Sequence, residues 1–266
     1  MHNAALGVMA HADPRFGQWK YFRFNVPPAD LSSALSLFHE KRFRGLNLTI
    51  PHKILAVPQV AAIDPAAKMV GAVNTLLWTE HGWHGHNTDG YGLATGLRED
   101  LGQELKGANV ILVGAGGAAR GAAVECLRQR CASLWISNRT AENLRILLDE
   151  LSPLAGSVPV YGFAPDSPPR NLPAGAVLVN ATSVGLRSSD PLPISLAALP
   201  AVTGVYDMIY NPPETALLRQ ARSLGVRSAN GLSMLVHQGA RALSLWTGRD
   251  VPVDAMRAAA IDALHA

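Results

Sequence analysis

The chain has 266 residues, 48% of them hydrophobic and 16% charged, with a formal net charge of +3. That length exceeds the usual size of one domain and falls short of three, so two lobes sharing a cleft are expected, with apolar side chains enough for a sizeable core. The cations are scattered and densest at Lys41-Arg42-Phe43-Arg44, the solvated end of a helix rather than the basic stripe of a nucleic-acid binder, and no apolar run reaches the roughly 18 to 20 residues of a membrane span.

In chain order, residues 21–26 read as a strand, 30–43 as a helix from the spacing of their apolar side chains, and 45–50 and 73–78 as strands. His81-Gly82-Trp83-His84-Gly85-His86 reads as a hairpin turn and its outgoing strand. A zinc reading of those three histidines lacks a Cys or Glu ligand at a supporting spacing, so no metal is expected. From Ala108 the alternation resumes: the apolar run 109–113, a glycine turn, a helix, then strands at 134–137, 176–180 and 204–207. The Pro-rich stretch 156–172 reads as loops around a short strand. Two helices, 232–246 and 253–264, close the chain. They add no further strand and are expected to pack back on the first lobe, which is then discontinuous. The fold class is α/β, with lobes of residues 1–91 plus 231–266 and of residues 92–230. Cys126 and Cys131 lie about one helical turn apart with no second pair, which reads as packed thiols in a reducing cytoplasm. No charged start with an apolar core marks a signal peptide, so a cytoplasmic location is expected.

Gly114-Ala115-Gly116-Gly117-Ala118-Ala119-Arg120 follows the 109–113 strand. A strand entering a Gly-x-Gly-x-x-Gly/Ala turn that opens a helix presents backbone N–H groups to a dinucleotide pyrophosphate, as a Rossmann-type doubly wound sheet does. Gly114 makes the tight turn, Gly116 admits phosphate, and Ala119 allows close helix–strand packing. After the second strand of this lobe come Asn138, Arg139 and Thr140, where an NAD site places an acid. A cation there offers a charge-assisted face to a 2′-phosphate and favours NADP. Asn138 and Thr140 also suit the cap of the next helix.

In the first lobe, polar residues gather at strand ends: Asn47, Thr49 and Lys53; Asn74 and Thr75; Asn87, Thr88 and Asp89. Hydride transfer to or from a secondary alcohol needs a group that exchanges the hydroxyl proton, and a lysine beside a carboxylate does this without metal. Lys53 and Asp89 are the pair so placed, although exposed lysines and capping aspartates are common. Asp64 and Glu40 have no partner at catalytic spacing and are assigned to the surface.

Taken together, residues 45–53, 71–75, 87–90, 114–120 and 138–140, with Asn180-Ala181-Thr182-Ser183-Val184-Gly185, Tyr206-Asp207-Met208-Ile209-Tyr210 and the stretch 231–238, resemble the shikimate dehydrogenase family along nearly the whole chain. The resemblance implies a substrate-binding lobe, an NADP-binding lobe, and reversible reduction of 3-dehydroshikimate to shikimate by NADPH, in a cytoplasmic monomer or homodimer. It implies Lys53 and Asp89 as the catalytic pair, Thr49, Asn74, Tyr210 and Gln238 as substrate contacts, and Met208 and Gly231 as residues approaching the nicotinamide. Quinate as substrate with NAD, or a sensor that binds a shikimate-like ligand without turnover, are the alternatives. The family begins with a strand and a Ser-x-Ser-Pro turn that holds the substrate carboxylate, whereas this sequence opens at Met1-His2-Asn3, inside the helix that follows. Weak shikimate oxidation with intact NADP binding is the corresponding expectation.

Overall fold

A computed structural model describes residues 1–265 and resolves two compact units, Met1–Asp89 with the chain from Val236, and Gly90–Leu235. The first unit contains α1 (His2–Ala12), α2 (Leu31–Glu40), β1 (Gly45–Asn47), α3 (His52–Leu55), β2 (Ala62–Ile63), α4 (Pro65–Val70), β3 (Thr75–Thr79) and β4 (Gly82–His86), and ends on Asp89, the first residue of α5 (Asp89–Leu101). Its sheet has the order β1-β3-β4-β2, with β3 antiparallel to both neighbours and β2 parallel to β4. Leu31 and Leu35 of α2 pack with Val73, Leu76 and Trp83 beneath this sheet, and the Trp83 indole N–H donates to the Leu35 carbonyl at 3.0 Å.

Two segments depart from the expected strands. Residues 21–26 form no ladder. Their alternating apolar pattern favours extended backbone, but a strand also needs a partner edge. The backbone of Tyr21 is held instead by Asn3, whose side-chain oxygen accepts from Tyr21 N at 2.8 Å and whose amide donates to Tyr21 O at 3.0 Å. Phe22 and Phe24 are left exposed. The strand expected at 45–50 stops at Asn47, because Thr49 O accepts from His52 N at 2.8 Å and turns the chain into α3. Asp64 lies part-exposed at the surface, as expected, and caps α4 there: its carboxylate accepts from Ala66 N at 2.9 Å, with Pro65 at the first helical position. Glu40 lies at the surface beside Lys41.

The second unit runs β5 (Asn109–Val113), α6 (Gly117–Arg128), β6 (Ser133–Ser137), α7 (Ala141–Leu151), β7 (Val160–Phe163), β8 (Val177–Asn180), β9 (Gly204–Asp207), α8 (Ala216–Ser223) and β10 (Ser228–Asn230). The opening of α9 (Leu232–Thr247) also belongs here. The rest of that helix and α10 (Val253–His265) belong to the first unit, where α10 packs on α1 and the Trp246 indole lies on Gly45 and donates to Leu76 O at 2.9 Å.

The second sheet has the order β10-β9-β8-β5-β6-β7 and every pairing is parallel. Both faces of such a sheet are covered, which is why β5 and β8 are nearly continuous apolar runs and every residue of β6, β8 and β9 is buried. The register pairs Val113 with Ser137 and with Asn180, Asn180 with Asp207, and Asp207 with Asn230. The carboxyl ends of five strands therefore stand in one row, and the strand order reverses between β5 and β8. That edge is where open α/β sheets bind ligands. Cys126 and Cys131 are buried free thiols, and burial raises both, Cys131 to about 11. Among the described residues no helix is long and apolar enough to cross a membrane.

Candidate active site and nucleotide-binding edge

In the first unit the chemistry collects around Asp89. Lys53 Nζ donates to Asp89 Oδ2 at 2.7 Å, and each side chain is about a quarter exposed (25% and 26%), so the pair is formed within reach of a ligand. Lys53 sits on α3 two residues past Pro51, and its own carbonyl accepts from Val73 N at 2.8 Å, tying α3 to the segment that leads to Asn74. The other oxygen of Asp89 accepts from Asn74 Nδ2 at 2.8 Å. Asn74 is buried and bonded on every side: its oxygen accepts from Thr88 N at 2.8 Å and from the Thr75 hydroxyl at 2.9 Å, and its amide also donates to Thr88 Oγ1 at 3.0 Å. Asn87 Oδ1 accepts from Asp89 N at 3.0 Å, the spacing of a side-chain turn that starts a helix. Asp89 then falls in the first turn of α5, where the helix dipole favours an anion. Gln238 Oε1 lies 3.4 Å from both Asn74 Nδ2 and Thr88 Oγ1.

The structure thus brings together four of the residues singled out in this unit, Lys53, Asp89, Asn74 and Gln238. Thr49 is exposed in the turn between β1 and α3, and its hydroxyl joins no bond of this cluster. Asn87, Thr88 and Thr75 carry more of the geometry than the sequence reading assigned to them. The available signal was Asn87 two residues before Asp89. His84 and His86 have ring centroids 4.2 Å apart, and burial holds His86 below its ordinary pKa. Among the described residues no group of three or more His, Cys, Asp or Glu side chains is placed to hold a metal.

The second unit builds its site on the row of strand ends. Gly114 has φ +117°, a region open to glycine, and a Cβ there would lie 3.0 Å from Thr182 Cγ2 and 3.2 Å from Ala181 O. Gly116 is the N-cap of α6 with no side-chain cap, and a Cβ at Gly116 or Gly117 would meet nothing within 4 Å. Gly116, Gly117 and Ala118 are exposed, with Ala115 half-buried beside them and Ala119 buried against the sheet. The first turn of α6 therefore presents uncapped N–H groups to open space, a donor set that fits a pyrophosphate. Arg120 is paired with Glu150 of α7.

At the end of β6, Asn138 Nδ2 donates to Thr140 O at 2.9 Å and folds the turn. Thr140 occupies the N-cap of α7 but makes no side-chain cap bond, so capping does not occupy the group. Arg139 is exposed. At the end of β9, Gly231 lies so close to Met208 that a Cβ would collide with the Met208 carbonyl. Tyr210 follows, half-buried, in this unit. A polar knot underlies these loops: Asp207 accepts from Asn180 Nδ2 at 2.9 Å, Ile209 N at 3.1 Å and Thr215 Oγ1 at 2.6 Å. The Asp207, Asn180 and Thr215 side chains are all buried. The sequence reading quoted Asn180 and Asp207 without giving them a role.

The fold and these two clusters define a two-unit α/β protein with a Rossmann-type parallel sheet. Residues 3–76 match the shikimate dehydrogenase substrate binding domain, and residues 231–261 match the shikimate 5′-dehydrogenase C-terminal domain. The shikimate dehydrogenase (NADP(+)) of Moorella thermoacetica is 38% identical over 258 residues, covering 96% of this chain and 85% of its own. A crystal structure of a shikimate dehydrogenase in complex with NADP+ superposes with a TM-score of 0.86 at 32% identity, over 99% of this chain and 89% of that one. The enzyme of Thermus thermophilus, crystallised with NADP(H) and shikimate, gives 0.80 at 32% identity over 98% and 95%. The chain belongs to the shikimate dehydrogenase family.

Proposed function

We propose that this protein reversibly reduces 3-dehydroshikimate to shikimate with NADPH, a step towards aromatic amino acids. The observation that carries the reading is the Lys53–Asp89 pair, 2.7 Å apart and partly open, in a chain of this family. Lys53 Nζ–H donates a proton to the substrate C3 oxygen as the carbonyl becomes a hydroxyl, and Nζ takes that proton back in the oxidative direction. NADPH supplies the hydride to the carbonyl carbon. Asp89 orients the lysine and compensates its charge, held in turn by Asn74 and by the Asn87 turn. Thr49, Asn74, Tyr210 and Gln238 contact the substrate. The backbone of residues 114–118 holds the pyrophosphate, Arg139 with Asn138 and Thr140 holds the 2′-phosphate, and Met208 and Gly231 take the nicotinamide.

These roles divide between substrate-binding residues 1–91 plus 231–266 and NADP-binding residues 92–230. The reading carries with it a cytoplasmic location, small-molecule partners alone, and a monomer or homodimer. The test is a set of crossed assays, shikimate and quinate each with NADP+ and NAD+. Turnover highest with shikimate and NADP+ is the expected result. Faster turnover with quinate and NAD+ would assign the other specificity, and ligand binding without turnover would make the chain a sensor.

A further inference from the structure

We propose that Asp207 is a fixed anion at the nicotinamide subsite that favours the oxidised, cationic cofactor over the reduced, neutral one. The inference rests on the placement of the nicotinamide at Met208 and Gly231. Asp207 is the last residue of β9 and is 0% exposed. Its Oδ1 accepts from Ile209 N at 3.1 Å, two residues on, so the carboxylate closes a turn around Met208. Met208 N donates to Asn180 O at 3.0 Å, and Asn180 Nδ2 donates to Asp207 Oδ1 at 2.9 Å. Gly231 meets the same residue through its close approach to the Met208 carbonyl. The carboxylate is thus built into the loop that the nicotinamide is proposed to touch.

Its partners are all neutral. Asn180, the Ile209 amide and the Thr215 hydroxyl supply hydrogen bonds, and among the described residues no Lys, Arg or His lies within ion-pair distance of it. Burial pushes this carboxyl up from its ordinary value while those three donors pull it back. An ionised carboxylate with no counter-cation in a weakly polarisable interior projects its field further than a surface charge does. The oxidised nicotinamide ring is a cation and the dihydronicotinamide is neutral, so that field distinguishes the two redox states of one ligand. A purely structural role predicts something different, since loosening the loop weakens both forms alike.

The experiment measures the dissociation constants of NADP+ and NADPH for the free protein, NADPH by its fluorescence and NADP+ by competition, in wild type, Asp207→Asn and Asp207→Ser. The serine variant guards against a misfolded asparagine variant. Removal of the charge is expected to weaken NADP+ on the order of tenfold relative to NADPH. Thr215→Val disturbs the same knot without changing its charge and is expected to leave the ratio of the two constants near wild type. Equal weakening of both cofactors by the Asp207 variants, an unchanged ratio, or an equal shift of the ratio in Thr215→Val overturns the proposal. Loss of all dinucleotide binding by wild type itself would instead overturn the functional reading, and this inference with it.

Discussion

Asn74→Ala removes a side chain that bonds both the Asp89 carboxylate and the backbone of Thr88 before it. Two of its bonds decide the magnitude. The donor to Asp89 Oδ1 at 2.8 Å is charge-assisted, and such bonds contribute about 1.5 to 3 kcal/mol. The acceptor for Thr88 N at 2.8 Å satisfies an N–H of a buried residue, and leaving it unmade costs about 1 to 3 kcal/mol. Together they set an upper range of roughly 2.5 to 6 kcal/mol on the stability of the first unit, reduced where water enters the vacated space. The catalytic effect is smaller, because Lys53 and the Asn87 turn still hold Asp89. We expect kcat to fall roughly tenfold to a hundredfold, with a rise in KM for shikimate and an unchanged NADPH dissociation constant. Urea denaturation and steady-state kinetics measured on the same preparation separate the two effects. A variant with lowered stability but wild-type kcat would refute the claim that this network positions Asp89 for proton transfer.

Arg139→Ala is expected to reduce the preference for NADP+ over NAD+ by roughly tenfold to a hundredfold, the scale of one lost charge-assisted contact, as read from the ratio of kcat/KM values. His2 is buried and stacked on Tyr21 with ring centroids 4.2 Å apart, and burial lowers its pKa to about 4. A histidine whose folded pKa lies below its unfolded value of 6.5 binds its proton first in the unfolded chain. Stability is therefore lost as pH falls from about 6.5 towards about 4, by as much as about 3 kcal/mol. His2→Phe should flatten that part of the profile in urea titrations at successive pH values.

The second unit was more legible in the sequence than the first. β5 with its glycine turn stands where the apolar run puts it, because a parallel strand buried on both faces writes most of its length in Val, Ile and Leu. Residues 21–26 have an equally suggestive pattern and form no strand, since a ladder depends on a partner that local pattern does not record. The capping role of Asp64 is legible in the sequence, as an acid directly before Pro65. Lys53 and Asp89 were legible as polar residues at strand ends, but the bonds that give Asp89 its orientation run through Asn74 and Asn87, whose amides look the same in sequence as any turn residue. The Asp207 knot was hidden for a further reason. Asn180 and Asp207 end strands that meet only through the sheet register, and nothing in a linear reading marks them as buried together.

The central claim is that Lys53 moves the proton while the nucleotide site is independent of it. It is tested most directly by single-turnover oxidation of shikimate in Lys53→Ala beside wild type, with the NADP+ dissociation constant measured on both. A positioned proton-transfer group contributes roughly two to four orders of magnitude. A fall of that size is expected in the rate of NADPH formation at saturating substrate, with NADP+ affinity unchanged. A near-wild-type rate in Lys53→Ala, with the cofactor bound, would contradict it and remove the lysine from the mechanism.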